Sequence, residues 1–236
     1  MNLLEEFTLL AHDDEGRRII DGTRLDYALG GALLVELALA ERIGMSNRKV
    51  VVLDATPVGE TLADETLTHI AGESRERKPS HWVRRPPKGV RQRVLDRLVT
   101  SEVLRAEHSR VLGVFPRTRY PSAHGTEPVA ETAVRGRLRA AVERVGTVEP
   151  RTGALCALIA ATEMDRKVFP DMDRKQVRAR LAEIGEGDWA AEAVRKVIRD
   201  VQVAVAAAVV TGGGGDGGSG DGGGGGGDGG GGGGGS

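Results

Sequence analysis

Aromatic residues are scarce: three Phe, two Tyr and two Trp make up 3% of a 236-residue chain. The folded part is rich instead in Ala, Leu, Val, Glu and Arg, a balance that favours helix over sheet. Cysteine occurs once, as Cys156 inside an apolar run (154–161). A lone thiol excludes a disulfide framework and suits a reducing compartment. No charged neighbour in sequence activates it, so it reads as core rather than nucleophile. Long apolar runs are missing too. The stretch YALGGALLVELALAERIGM (27–45) is interrupted by Glu36, Glu41 and Arg42 before the ~20 apolar residues that a membrane-crossing helix needs. VQVAVAAAVV (201–210) is shorter still and reads as a core helix. Glu5 and Glu6 stand where a secretory leader would be positive, so a cytoplasmic location is expected.

The signatures of catalysis are also missing. The Gly30–Gly31 pair lacks the spacing of a dinucleotide or phosphate loop, and no Gly-Lys-Ser/Thr follows it. His12, His69, His81, His108 and His124 never pair at metal-ligand spacing. Asp13, Asp14 and Glu15 lack the alternating oxygen ligands of a calcium loop and read as a turn ending at Gly16. There is no Gly-x-Ser-x-Gly elbow. No enzyme activity, metal or cofactor is expected.

What is present is an uneven charge. Arg75 to Tyr120 carries 13 Lys/Arg against 4 Asp/Glu, a local excess of +9, while the whole chain is −1. The middle of the chain thus calls for an anionic partner. From Gly212 on there are only Gly, Asp and Ser, with 20 of the 35 glycines. Nothing there offsets ordering entropy, so residues 1–210 are expected to fold and 211–236 to form a disordered tail.

Apolar periodicity predicts helices over 2–12, 24–43, 61–71, 88–99, 129–145, 153–164 and 174–184, with a last helix over 189–210 capped by Asp188. The run 50–53 reads as strand or extended chain. KPSHWVRRPPKG (78–89) has three prolines and should hold no long helix. The segments 103–105 and 111–115 read as the strands of a β-hairpin. Leu29, Leu33 and Leu37 recur at helical spacing, so 27–45 is a buried helix in which Gly30 and Gly31 allow close packing.

Five blocks, in order, resemble the Golgi phosphoprotein 3 family: LLEEFTLLAHDDEG, LGGALLVELALAERI, DATPVGETLADETLTHI, VRQRVLDRLVTSEVL and GALCALIAATEMDRKVF. They span nearly the whole folded part. The resemblance implies a mainly α fold, a buried central helical bundle wrapped by amphipathic helices with one projecting β-hairpin. It also implies a peripheral membrane protein that binds phosphatidylinositol 4-phosphate in a basic pocket beside that hairpin, and recognises the cytoplasmic tails of membrane proteins. Carried over by position, Arg91 falls on a headgroup arginine and Lys88 on another. The family's pocket tryptophan falls at Asp21 and a third arginine at Gly30. The makeup is that of a bacterial relative.

The expected headgroup site is therefore Arg91 and Lys88 with the nearby Arg84, Arg85, Arg110, Arg117 and Arg119. Val111, Leu112, Val114 and Phe115 would be the membrane-inserting hairpin, on the inner face of the cell membrane. As a plain surface residue, Arg91 would instead pair with Asp96 or Glu102. The competing reading is a winged-helix nucleic-acid module using helix 88–99 and hairpin 103–115. Its wing would want a polar tip, and VLGVF is apolar.

Overall fold

The structure, a computed structural model, describes residues 1–111, 115–187 and 190–212, leaving aside the side chains of 110, 111 and 115–117. Chain order is α1 (Leu3–Leu10), α2 (Gly22–Leu39), β1 (Ile43–Ser46), β2 (Lys49–Val52), α3 (Thr61–Gly72), α4 (Pro79–Val83) and α5 (Val90–Thr100). Then follow β3 (Glu107–Val111), β4 (Phe115–Arg119), α6 (Val129–Val142), α7 (Pro150–Ala161), α8 (Asp165–Val168), α9 (Arg174–Glu186) and α10 (Glu192–Gly212).

The bundle is built on α2. Leu25, Leu29, Leu33 and Leu37 are all buried, and so are Ala28, Gly30, Gly31 and Ala32 between them. A helix apolar almost all round must be surrounded: α1, α3, α4, α5, α7 and α10 all pack against it. Each leucine so buried contributes roughly 1.5–3 kcal/mol. Gly31 lets α10 close in, since a Cβ there would stand 2.6 Å from Val205 Cγ2. Glu36, a charge in the last turn of this apolar helix, is satisfied twice. It accepts from the Leu3 amide at 2.6 Å, at the N-terminus of α1, and pairs with Arg151 of α7 at 2.9 Å. The expected central helix over 153–164 is α7, which is buried from Thr152 to Ile159. Among the described residues, no helix is long and apolar enough to cross a membrane.

Cys156 lies within α7, 0% exposed, and burial pushes its thiol up to about 12. Since the thiolate is the reacting form, the folded protein should give no reaction with an aromatic disulfide reagent at pH 8, and one thiol per chain in denaturant. Stoichiometric reaction of the native protein within minutes would contradict this burial.

Four expectations about element limits need correction. The α2 helix ends at Leu39, not Ile43, because Glu41 takes a left-handed φ of 58°. Residues 43–46 become β1, paired antiparallel with β2 through Asn47 and Arg48, both at positive φ, as a two-residue hairpin turn requires. So among the described residues a second, short hairpin stands beside the expected one. Helix α5 starts at Val90 rather than Lys88, because Gly89 at its N-cap has φ 68°. The strands of the second hairpin lie four residues beyond the expected ones, at Glu107–Val111 and Phe115–Arg119. Val103–Arg105 instead closes the hairpin's base: Leu104 bridges Ser122 and the Arg105 amide donates to Pro121 O at 2.9 Å. The last helix spans Glu192–Gly212. Its expected cap Asp188 lies outside the described residues, as does the tail from Gly213.

Candidate anion-binding site

The loop after α1 decides which side chains meet. HDDEGRR turns at Gly16, which has φ 70° and lies so close to the hairpin's end that a Cβ would sit 2.2 Å from Pro121 N. Only glycine fits that conformation and that approach. The Tyr120 amide donates to Gly16 O at 3.0 Å and fixes the contact. The loop then carries Arg17 and Arg18 past the base of β4, towards the start of α2.

There Arg18 meets Arg91 of α5. Gly22 is the first residue of α2, and a Cβ on it would stand 2.2 Å from Arg91 Nη1 and 2.8 Å from Arg18 Nη1. The two guanidinium groups therefore crowd one point at the N-terminus of an 18-residue helix. The Gly22 and Thr23 amides have no intrahelical acceptor, and the helix dipole adds positive potential. Partial burial and then Arg91 hold the Arg18 guanidinium below its ordinary value, against the pull of Asp26 and Asp21. Asp26 is the internal counter-ion. It pairs with Arg91 at 3.2 Å, and burial pushes its carboxyl up against the pull of Arg91 and Arg18. Arg91 thus pairs with Asp26, not with Asp96 or Glu102; Asp96 instead accepts from the Gln92 amide at 2.7 Å.

Arg18 and Arg91 line a cleft of about 480 Å³ that runs from Arg91 and Gln92 to Arg119 and Tyr120 on the hairpin, with Gly22 and Asp26 outside its lining. His12 and Arg18 are also part of its lining. Arg17 is spent on Asp13 and Glu15, each at 2.9 Å. Arg18 and Arg119 form no ion pair among the described residues, and the buried Arg119 Nε has no partner there. The Tyr120 hydroxyl accepts from Gln92 at 3.1 Å on the cleft wall. A second cleft of about 450 Å³ opens on the far side of His12 and Tyr120. Asp13, Asp14, Glu15, Glu107, Glu127 and Glu131 line it against Arg105 and Arg119, so acidic groups outnumber basic ones there.

Of the expected site residues, Arg91 and Arg119 line the basic cleft. Arg84 lies elsewhere, over the Tyr27 ring at 5.7 Å and bonded to Thr211 of α10. Arg85 and Lys88 are exposed and outside the cleft lining, Lys88 in the turn before α5. Val111 lies opposite Phe115 in the backbone register, which puts this pair at the far end of the hairpin. Leu112 and Val114 lie outside the described residues, as do the side chains of Arg110, Val111, Phe115 and Arg117. Asp21 caps α2, accepting from the Arg24 amide at 2.8 Å. Gly30 faces the backbone of α4, where a Cβ would stand 2.7 Å from Val83 O. Sequence reasoning missed Arg18, His12 and Gly22. The one local signal was the Gly16-Arg17-Arg18 run after an acidic turn.

The family model of Golgi phosphoprotein 3 (GPP34) matches residues 3–201. The vacuolar protein sorting-associated protein 74 of Eremothecium gossypii is 36% identical over 84 residues, which are 30% of this chain and 25% of that protein. The chain therefore spans about a quarter of that relative's length. With its helical bundle, its hairpin and a match from the first helix into the last, the chain belongs to the Golgi phosphoprotein 3 (GPP34) family.

Proposed function

We propose that this protein is a peripheral membrane protein that holds an anionic phospholipid headgroup in the cleft between the Asp13–Arg18 loop, α5 and the hairpin. The observation that carries this reading is the convergence of Arg18 and Arg91 beside Gly22, next to the Asp21-capped N-terminus of α2, with Arg119 lining the same cleft. A phosphate in the cleft takes the Arg18 and Arg91 guanidinium groups, near the positive end of an 18-residue helix. It also displaces Asp26 from Arg91 and relieves the repulsion between the two arginines. Membership of the family and the partial likeness to a sorting protein support a membrane-associated role. The apolar hairpin sequence VLGVF then adds a second, insertion-based contribution, and two weak signals together give reversible anchoring. Arg84, Arg85, Lys88, Arg110 and Arg117 add general attraction to an anionic surface, such as the inner face of the cell membrane.

Two observations favour this over the winged-helix reading. The basic residues of α5 are committed inside the molecule: Arg93 to Glu65 at 2.6 Å, and Arg97 to Glu5 at 3.0 Å and to Glu60. A recognition helix needs such side chains free for the groove. In addition, the hairpin's turn sequence is apolar rather than basic.

Sedimentation with vesicles tests the proposal. At low salt the protein should pellet with anionic vesicles and stay in solution with neutral ones, and binding should fall steeply as salt is raised. Equal binding to both vesicle types, or none to either, would overturn it.

A further inference from the structure

His12 stands where the cleft meets its neighbours. It is 6% exposed, yet it lines the basic cleft, the acidic cleft and a third between Asp14 and Lys167. Its Nδ1 lies 2.7 Å from Thr8 O, and a carbonyl can only accept. The proton of the neutral ring is therefore on Nδ1, and Nε2 is left as a bare acceptor. No group among the described residues hydrogen-bonds Nε2. The Tyr120 ring packs edge-on at 6.4 Å and fixes the ring's place.

The charges around this ring are unbalanced. On the acidic side nearly every carboxylate is already matched. Asp13 and Glu15 pair with Arg17, Glu107 with Arg105, and Glu127 and Glu131 with Arg135. Asp14 of the loop faces Lys167 of α8 across the third cleft, so these two roughly offset each other. On the basic side Arg18 and Arg119 form no ion pair among the described residues, Arg91 pairs with Asp26, and Asp26 and Asp21 act on Arg18 without pairing with it. Burial keeps the imidazole below its ordinary value, and the nearby Arg18 and Arg91 add to that, against the Thr8 hydrogen bond and Asp13.

We propose that His12 is a proton-dependent ligand of the anion cleft: an anion seated between Arg18 and Arg91 draws a proton onto His12 Nε2, which then donates to the cleft, so anion and proton bind together. This rests on the reading of the cleft as an anion site. The step is a plain protonation. The neutral imidazole takes one proton from solvent, and the excess positive charge of the two arginines is matched by the anion. By linkage the effect is reciprocal: whatever the anion does to proton affinity, the proton does to anion affinity. The proposal gives the cleft a preference for acidic surroundings, fixed by a residue outside both the basic segment and the hairpin.

The probe is sodium sulfate, which keeps its charge of −2 between pH 5.5 and 8 and so does not itself titrate. Ring resonances of His12, assigned by their loss in His12→Gln, are followed by NMR in sulfate and in chloride. The titration midpoint of His12 should be higher in sulfate, and sulfate should bind about tenfold tighter at pH 5.5 than at pH 8. In His12→Gln, sulfate affinity should lose its rise from pH 8 to pH 5.5. Vesicles of phosphatidylglycerol, a diester whose charge is also constant, form the second arm and should follow the same profile. If sulfate leaves the His12 midpoint unmoved, the inference falls, even where vesicles bind at pH 8 and the headgroup reading stands. If sulfate moves it but anionic vesicles do not bind, the proton link holds for a free anion and the membrane reading falls.

Discussion

Charge reversal of Arg18 weakens binding to anionic vesicles about thirtyfold. The expectation comes from two terms. Each basic residue at an anionic surface contributes about 1 kcal/mol, and turning it into an acid adds a repulsion of similar size, so about 2 kcal/mol is at stake. That is roughly a thirtyfold change in affinity. Arg18 is the better test residue than Arg91, because it is exposed and forms no ion pair among the described residues. Arg18→Glu should leave the melting temperature within a degree or two of the parent. Arg91→Glu should bind as poorly, but it sets a second carboxylate beside half-buried Asp26 and should cost some stability as well. The control is Arg166→Glu, which changes net charge equally at an exposed site in α8, outside the basic cleft. It should bind within twofold of the parent. If Arg18→Glu and Arg166→Glu weaken binding alike, only the overall charge matters and the cleft is not the site.

Why Arg18 escaped sequence reasoning while Arg91 did not is a matter of range. Arg91 sits on an amphipathic helix whose apolar residues Val90, Val94, Leu95 and Leu98 fix its phase, so its position on a half-exposed face is written locally. Arg18 sits in a turn with no period. It meets Arg91 only because Gly16 packs against Tyr120 and Pro121, more than a hundred residues along the chain. The helices were legible for the same reason as Arg91: long, periodic burial against a core. The hairpin was legible as a hairpin, but its strands were placed four residues too early. EHSRV and FPRTR are polar on both faces where described, so no alternation marks them, and the apolar turn between them drew the strand reading to itself. The strand β1 was lost to the preceding helix because Ile43 and Met45 extend its apolar pattern, while the left-handed Glu41 that ends the helix gives no signal in composition.

An arginine at position 30, the place at which the resemblance puts a headgroup arginine, should damage this protein rather than complete a pocket. Gly30 faces Val83 of α4, whose carbonyl oxygen would be 2.7 Å and Cα 3.2 Å from a new Cβ. Those atoms are backbone, and α4 cannot retreat easily: Trp82 and Val83 are buried, and α4 packs against both α2 and α10. Overpacking of this kind costs about 1–3 kcal/mol, and an unpaired charge forced into the interface adds several more. Gly30→Arg should therefore melt roughly 10 °C or more below the parent, at the 2–4 °C per kcal/mol expected of a domain this size. Gly22, eight residues earlier on the same helix, makes the opposite case. A Cβ there meets only the far ends of Arg18 and Arg91, which can swing away. Gly22→Ala should keep the parent's melting temperature within about 2 °C and still lose most vesicle binding, because it splays the two guanidinium groups off the helix N-terminus. Should Gly30→Arg melt like the parent and bind anionic vesicles more tightly, the headgroup would lie between α2 and α4 and not in the cleft beside the hairpin. The paired result expected here, stability lost at position 30 and binding lost at position 22, separates the glycine that α4 needs from the glycine that the anion needs.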